Sequence, residues 1–283
     1  MAKHTLFGGL LVSVISLLLS LELSFADEFS LFHPTPDDQL RPLSTDRPDI
    51  TESPYTVNPG RVQLELDFIS FTEDEDALEE RDFFAILPTN FKVGLLHHTD
   101  LQLVFEPYIV DEVRDKSTTL SERRSGIGDV TLRLKQNLWG NDGGASALAV
   151  MPFLTLPTSR TNLGADGVEA GLIIPFALEL GERESLGLMA EFDLFTDELN
   201  NDSYHVEFVN TAVIGIDFNE SWGMFLEFVS IATTEEDGDW QGLANTGFTY
   251  ALSDNFQLDG GIAVGVNDDA PDWSPFIGMA VRI

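Results

Sequence analysis

The stretch STDRPDITESPYTVNPGRVQLELDF, residues 44–68, changes character at its middle. Up to Gly60 it is polar and interrupted by prolines, and no regular spacing of apolar residues would bury one face. From Val62 to Phe68 apolar residues alternate with polar or charged ones, which is the period of a β-strand with one apolar and one charged face. Such a strand suits a soluble β-sandwich as well as a membrane barrel, so the rest of the chain has to decide.

The beginning of the chain predicts a secretory signal peptide over residues 1–26. A short basic start is followed by an apolar run over 6–23, and small residues precede the expected cleavage point after Ala26. A transmembrane anchor is the alternative, but acidic residues follow at once and no second apolar run of this kind occurs in the sequence. We therefore expect export, with a mature chain of residues 27–283.

The composition excludes several classes of function. The formal net charge of −33 argues against binding nucleic acid or another polyanion through the overall field. The sequence contains no cysteine, so it offers neither disulfides nor thiol chemistry. The length allows one large all-β domain or two smaller ones.

Alternation of period two recurs along the whole chain and predicts twelve strands. We expect them at 61–71, 82–95, 101–110, 128–139, 145–156, 168–180, 185–195, 204–218, 221–232, 240–252, 255–266 and 273–283. Their connections alternate between tight turns rich in Gly, Asn, Asp and Ser and longer polar loops at 72–81, 111–127, 157–167, 196–203, 233–239 and 267–272. An up-and-down antiparallel barrel produces this alternation directly, whereas a Greek-key sandwich does not.

Four further features favour a transmembrane β-barrel in the bacterial outer membrane. The strand number is even, and the predicted strands are longer than the globular norm of roughly five or six residues. Apolar stripes face one way and carboxylates the other, as lipid and a wet lumen require. The four tryptophans, Trp139, Trp222, Trp240 and Trp273, fall at strand ends, which is typical of interfacial girdles.

The same motifs carry a resemblance to a known family. The stretch at 44–68, followed by ILPTNFKVGLLHHTDLQLVFEPY at 86–108 and SGIGDVTLRLKQNLW at 125–139, resembles bacterial outer-membrane proteins described as transporters or meta-pathway phenol-degradation proteins. The likeness runs from about Ser44 to Ile283. It implies a β-barrel that passes solutes and is sometimes associated with the breakdown of aromatic compounds.

Strand parity predicts which charged side chains line the lumen. The acids are Glu65, Asp67, Glu106, Glu169, Glu179, Glu191, Asp193, Glu207, Asp217, Glu227 and Asp259, and the bases are Arg61, Lys92, Arg133, Lys135 and Arg282. A narrow water-filled passage lined in this way would favour cations. A closed barrel with a static charge network is the alternative, because twelve strands lie between filled and open barrels.

The polar segment before the first strand is a candidate plug or gate. Asp46, Arg47, Asp49 and Glu52 can meet lumenal charges if the segment enters the barrel mouth, and otherwise the segment caps the barrel base. We accordingly divide the chain into a signal peptide at 1–26, a periplasmic lead-in or plug at 27–59 and the barrel at 60–283.

Catalysis, cofactors and metals find little support in the sequence. No Gly-x-Ser-x-Gly occurs, and His97 with His98 fits a surface turn pair better than a metal site, because sequence neighbours rarely share one ligand geometry. We predict no enzyme, no cofactor and no metal.

The predicted function is passive passage of small solutes, with aromatic or hydrophobic compounds as candidates, through an acid-lined lumen. The expected partners are outer-membrane lipid and lipopolysaccharide, the outer-membrane insertion machinery and the solute. A structural or adhesive surface barrel without transport is the alternative. The sequence leaves open the solute, the oligomeric state and whether the lumen is open, gated or plugged.

Overall fold

The computed structural model describes residues 29–118, 120–159, 163–165, 167–197, 200–235 and 238–283, with backbone alone at 197 and 200–202. The predicted signal peptide lies outside these residues. The elements are a 3-10 helix at Asp37–Gln39 and the strands β1 (Val62–Glu75), β2 (Glu79–Ile86), β3 (Thr89–Leu96), β4 (Thr99–Phe105), β5 (Tyr108–Asp115), β6 (Ser121–Gly126), β7 (Val130–Trp139), β8 (Ser146–Leu156), β9 (Glu169–Glu179), β10 (Glu184–Asp197), β11 (Asn200–Asp217), β12 (Trp222–Thr233), β13 (Gln241–Ser253), β14 (Phe256–Gly265) and β15 (Trp273–Arg282). None of the described residues forms a helix long and apolar enough to cross a membrane.

The strands form one antiparallel sheet that closes on itself. β15 pairs with β1 from Gln63–Arg282 to Glu73–Trp273, and Val62 and Ile283 exchange two backbone hydrogen bonds at 2.8 and 3.1 Å. Closure leaves the barrel body without a free sheet edge, which is the condition for spanning lipid with strands. The predicted twelve-stranded transmembrane β-barrel is therefore confirmed.

Three of the twelve barrel strands are interrupted, which explains the fifteen strand segments. β2 with β3, β4 with β5 and β6 with β7 are each one barrel strand with a short break, at 87–88, 106–107 and 127–129. The breaks lie side by side, since Ile86 pairs with Tyr108 and Thr89 with Phe105. Pro88 and Pro107 contribute to two of them because proline has no backbone N–H for the ladder.

The strands on one side extend further than the sequence predicted. The expected loop 72–81 is mostly paired, with Glu73 opposite Asp82 and a turn of only three residues at 76–78. The expected loop 111–127 is likewise paired, as β5 with β6. These extensions carry polar residues toward both sides, so their period-two signal is absent although the backbone pairing continues.

The barrel exterior is apolar. Large outward-facing side chains on many strands are exposed, among them Phe68, Leu101, Leu132, Leu188, Leu226, Phe248 and Ile277. The four tryptophans are also exposed, and the ring of Trp222 lies 4.6 Å from that of Tyr250. Contact with lipid accounts for this much exposed apolar surface.

Candidate functional site

Residues 44–58, here called the inner segment, bond to inward-facing side chains on opposite sides of the barrel. Their partners lie on β1, β3, β4, β7, β10, β11, β12, β14 and β15. Residues 29–43 lie at the tight-turn end, called here the lower rim, where Leu31 N donates to Leu95 O and Thr35 N to Pro59 O. The chain therefore enters the lumen from the lower rim and returns to it before β1 begins.

Asp46 is the most heavily bonded residue of the inner segment. Its carboxylate binds the ammonium groups of Lys92 and of Lys135, the latter at 2.5 Å, and its backbone N–H donates to Glu65. Lys92 also binds Glu65. Burial alone would raise the pKa of Asp46, but Lys135 and Lys92 outweigh it and lower that pKa. Two buried cations and two buried acids thus balance each other.

Arg47 lies between two carboxylates on neighbouring parts of the wall. Its Nη2 is 2.6 Å from Asp67 on β1 and 2.6 Å from Asp259 on β14. Gly278 on β15 pairs with both of these residues, and a Cβ there would come within 2.2 Å of Arg47 Nη2. Burial would lower the pKa of Arg47, but Asp259 and Asp67 together raise it.

The tip of the inner segment is held by Glu227 on β12. Its carboxylate accepts hydrogen bonds from Ile50 N at 3.0 Å, Thr51 N at 2.7 Å and Thr51 Oγ1 at 2.6 Å. Asn245 on β13 donates to the same carboxylate at 2.7 Å. Burial and the negative charge of Glu227 raise the pKa of nearby Asp49 well above its ordinary value.

Glu52 faces the wall formed by β7 and β10. Arg133 Nη1 donates to Glu52 Oε1 at 2.5 Å, and the Glu52 backbone N–H points to the sulfur of Met189 at 3.4 Å. Burial and the charge of Asp46 raise the pKa of Glu52 to about 8, against the opposing charge of Arg133. The pKa of Glu52 is therefore shifted from the acidic range toward neutral pH.

The returning part of the inner segment is bonded through its backbone. Val57 N donates to Asp100 at 3.0 Å, Thr56 N donates to Asn141 at 3.0 Å, and Asn137 donates to Pro54 O at 2.9 Å. Arg282 reaches the Asn58 side chain at 3.2 Å. Backbone bonds of this kind fix one path of the chain irrespective of its side chains.

The side chains of the other predicted lumen residues lie elsewhere on the barrel wall or at the lower rim. Glu169 accepts from Thr196 N at 3.1 Å, and Glu191 and Asp193 lie two residues apart on β10. Arg61 binds Thr35 O at the lower rim. The remaining predicted acids are partly buried or exposed wall residues: Glu106 and Glu207 are half-buried, and Glu179 and Asp217 are exposed.

An apolar patch on the inner wall was missing from the sequence analysis. It consists of the buried residues Met151, Phe153, Ile173, Met189, Val209, Val229, Leu243, Ala263 and Ala270, with Ile231 packed against them. The patch covers inward positions of strands β8 to β14, together with Ala270 between β14 and β15. Acids therefore line only part of the lumen, and strand parity assigns these apolar residues to the same inner face as the acids.

Known protein families and solved structures include proteins similar to this chain. The family model described as "Putative MetA-pathway of phenol degradation" matches residues 45–283. The chain belongs to this family. The resemblance inferred from the motifs is confirmed, and the fold places the protein in the bacterial outer membrane. A comparison with curated proteins gave no match.

Solved structures share the fold of this family member. An outer membrane channel from Pseudomonas putida F1 has a TM-score of 0.62 at 14% identity and covers 85% of this chain and 100% of its own. The transport unit of the autotransporter AIDA-I from Escherichia coli has a TM-score of 0.50 at 10% identity, covering 79% of this chain and 89% of its own. The translocator domain of NalP from Neisseria meningitidis has a TM-score of 0.50 at 8% identity, covering 79% and 88%.

Proposed function

We propose that the protein is a passive outer-membrane channel for small, largely apolar solutes, and that the inner segment, within the predicted lead-in at 27–59, acts as its plug. The observation that carries this proposal is the division of the inner wall. One part is charged and bonded to the inner segment, and the other is the apolar patch around Ile173 and Val229. Contact between an apolar inner wall and water is unfavourable in a purely aqueous pore. The same wall favours contact with solutes that have apolar surface.

The family supports the solute class. Its description names phenol degradation, and the similar structure from Pseudomonas putida F1 is named an outer membrane channel. An aromatic ring with few polar atoms matches a passage that has one apolar and one hydrogen-bonding wall. Passage is downhill in this proposal, since a barrel of this kind needs only a concentration gradient.

The plug role of the inner segment follows from its contacts. Bonds from Asp46 to Lys135 and from Thr51 to Glu227 join the segment to opposite walls, so solute passage requires the segment to shift. Bonded acids such as Glu227 and Asp259 hold the segment in place. We assign them no catalysis and regard the protein as a channel, not an enzyme.

The proposal is tested by flux measurements on the purified barrel. Chain lacking residues 44–53 and the intact chain are reconstituted into vesicles whose outer leaflet is lipopolysaccharide, which slows entry of aromatic solutes through the lipid itself. We expect phenol entry to exceed that of an equally sized polyol, and the deletion to raise entry and single-channel conductance.

Two variants of the apolar patch identify the path of the solute. Val229→Asn and Leu243→Asn should slow phenol entry more than polyol entry, whereas Leu243→Met should not. Equal entry of both solutes in every variant would refute an apolar path. A barrel that gives neither flux nor conductance, even after the deletion, would be the structural or adhesive alternative.

A further inference from the structure

Two tight turns at the lower rim bring His97, His98 and Asp142 together. The two histidines connect β3 to β4, and Asp142 lies in the turn between β7 and β8. One potential ligand atom from each side chain lies within 4.8 Å of the other two. β4 and β7 are paired neighbours, and Asn137 N donates to His98 O at 2.8 Å, so the barrel wall fixes the distance between the turns.

The three side chains form a suitable donor set for a transition-metal ion. Imidazole nitrogen and carboxylate oxygen are ligands of Zn²⁺, and three protein ligands with one water complete a tetrahedral site. Bonds of about 2.0–2.1 Å place such ligand atoms roughly 3.4 Å apart. Asp142 is exposed and His97 is partly exposed, so side-chain rotation can close the remaining distance.

The ring of His98 gives an independent indication of a missing ligand. Its Nδ1 is buried, yet it has no hydrogen-bond partner within the described ranges of the chain. Buried polar atoms are nearly always partnered, so one without a partner needs an explanation. His97 differs, because its Nε2 lies 2.8 Å from both carboxylate oxygens of Asp142. A divalent cation can take the place of the proton in that contact.

The cluster is joined to the inner segment by hydrogen bonds. Asn141, next to Asp142, donates to Thr56 Oγ1 at 2.8 Å and to His97 O at 2.7 Å. Arg41 donates to Thr56 O and to His97 O, each at 3.1 Å, and lies 3.7 Å from Asp142. The guanidinium weakens the attraction for a cation, and the carboxylate of Asp142 carries the opposing negative charge.

We propose that His97, His98 and Asp142 bind a divalent transition-metal ion, with Zn²⁺ the best match, at the lower rim of the barrel. The ion joins the β3–β4 and β7–β8 turns. Through Asn141 and Arg41 it stiffens the point at which the inner segment leaves the lumen. This site replaces the sequence-based interpretation of His97 and His98 as a surface turn pair, since Asp142 supplies the third ligand from 44 residues beyond His98.

The site is tested with the untagged full-length barrel, refolded in detergent and stripped of metal. Zn²⁺ is titrated in the presence of excess Ca²⁺, which occupies the acidic surface clusters but does not compete for imidazole nitrogen. We expect one Zn²⁺ per chain. His98→Gln and Asp142→Asn should weaken binding by more than about tenfold, the loss that even outer-shell partners cause. His33→Gln, an exposed histidine at the same rim, should bind as the unaltered chain does.

A second readout separates ligation from adventitious binding. Co²⁺ in place of Zn²⁺ should give visible absorption bands that disappear in Asp142→Asn. Folding of each variant is checked by its mobility shift on a gel before and after boiling. If His98→Gln does not fold, Asp142→Asn carries the test because that side chain is exposed. Unsaturable Zn²⁺ binding, or equal affinity in Asp142→Asn and His33→Gln, would overturn the proposal.

Discussion

Asp46 and Lys135 form an ion pair at 2.5 Å although 89 residues separate them in the chain. Both side chains are almost completely buried, and Lys92 shares the same carboxylate. The pair joins the inner segment to the barrel wall at β7. Because a buried charge without its partner is costly, loss of this contact weakens the binding of the segment to the wall.

Replacement of Asp46 by Asn should release the inner segment. Lys92 and Lys135 would then lose the carboxylate that both of them bind, and removing one member of a buried ion pair costs about 3–5 kcal/mol. We expect a lower urea midpoint, measured by tryptophan fluorescence in vesicles, and a higher single-channel conductance. Asp37→Asn is the matched control, since Asp37 pairs with Arg61 but is exposed. Identical conductance in both variants would contradict the role of Asp46.

Docking of the inner segment should weaken as the pH rises. The pKa of Glu52 is about 8 in the folded protein, against an ordinary value of 4.5. The docked state therefore binds more protons than the free segment between these values, and its stability falls as pH increases from about 4.5 to 8. Conductance recorded from pH 5.5 to 9 should increase accordingly.

Glu52→Gln is the corresponding control for the pH dependence. The amide mimics the protonated carboxyl, so most of the rise in conductance up to about pH 8 should disappear. Asp49, whose pKa is also raised, contributes in the same direction, and Asp49→Asn should remove what remains. If the rise in conductance persists in the double variant, titratable groups of the barrel wall, and not Glu52 and Asp49, cause the pH dependence.

The hydroxyl of Thr51 should contribute measurably to the tip contact. It lies 2.6 Å from both Glu227 Oε1 and Thr211 Oγ1. Thr51→Val leaves these buried groups with fewer hydrogen-bond partners and should lower the free energy of unfolding by about 1–3 kcal/mol. Thr211→Val should lower the free energy of unfolding less in the Thr51→Val variant than in the unaltered protein, because both hydroxyls are absent from the double variant. Strict additivity in chemical unfolding would show that the two side chains do not interact.

Gly94 should tolerate no side chain. A Cβ at this position would lie 2.0 Å from Asn58 O, where the inner segment returns to the wall. Gly94→Ala should therefore displace residues 57–60 and reduce the folded, heat-modifiable fraction. Gly260→Ala is the comparison, because its Cβ would meet its nearest atom, Phe276 O, only at 3.2 Å. A fully folded Gly94→Ala barrel would mean that the backbone approach is adjustable.

The barrel was predictable because lipid imposes a strict period on each strand. That signal ends where the strands leave the membrane, since both faces then meet water. The pairing of Glu73 with Asp82 and the whole of β6 were therefore read as loops. The breaks at Pro88 and Pro107 had a visible cause, but sequence alone did not show that they lie side by side.

The sequence predicted which charged residues face the lumen, but it did not predict which of them form ion pairs with the inner segment. Parity assigned Glu65, Lys92 and Lys135 to one face, while their shared contact with Asp46 depends on the path of a segment without any period. The apolar patch was missed for another reason. Strands β8 and β9 are apolar on both faces, so residues such as Met151 and Ile173 resemble those that face lipid.

The position of Arg47 has a consequence for the order of assembly. Its two carboxylate partners belong to the first strand and to the last strand but one, on either side of the line where the ends of the sheet meet. β1 and β14 come to lie on the two sides of β15 only when β15 has joined β1. The binding site of Arg47 is therefore completed by the final step of barrel closure, and the bound guanidinium then opposes separation of the strands that created it.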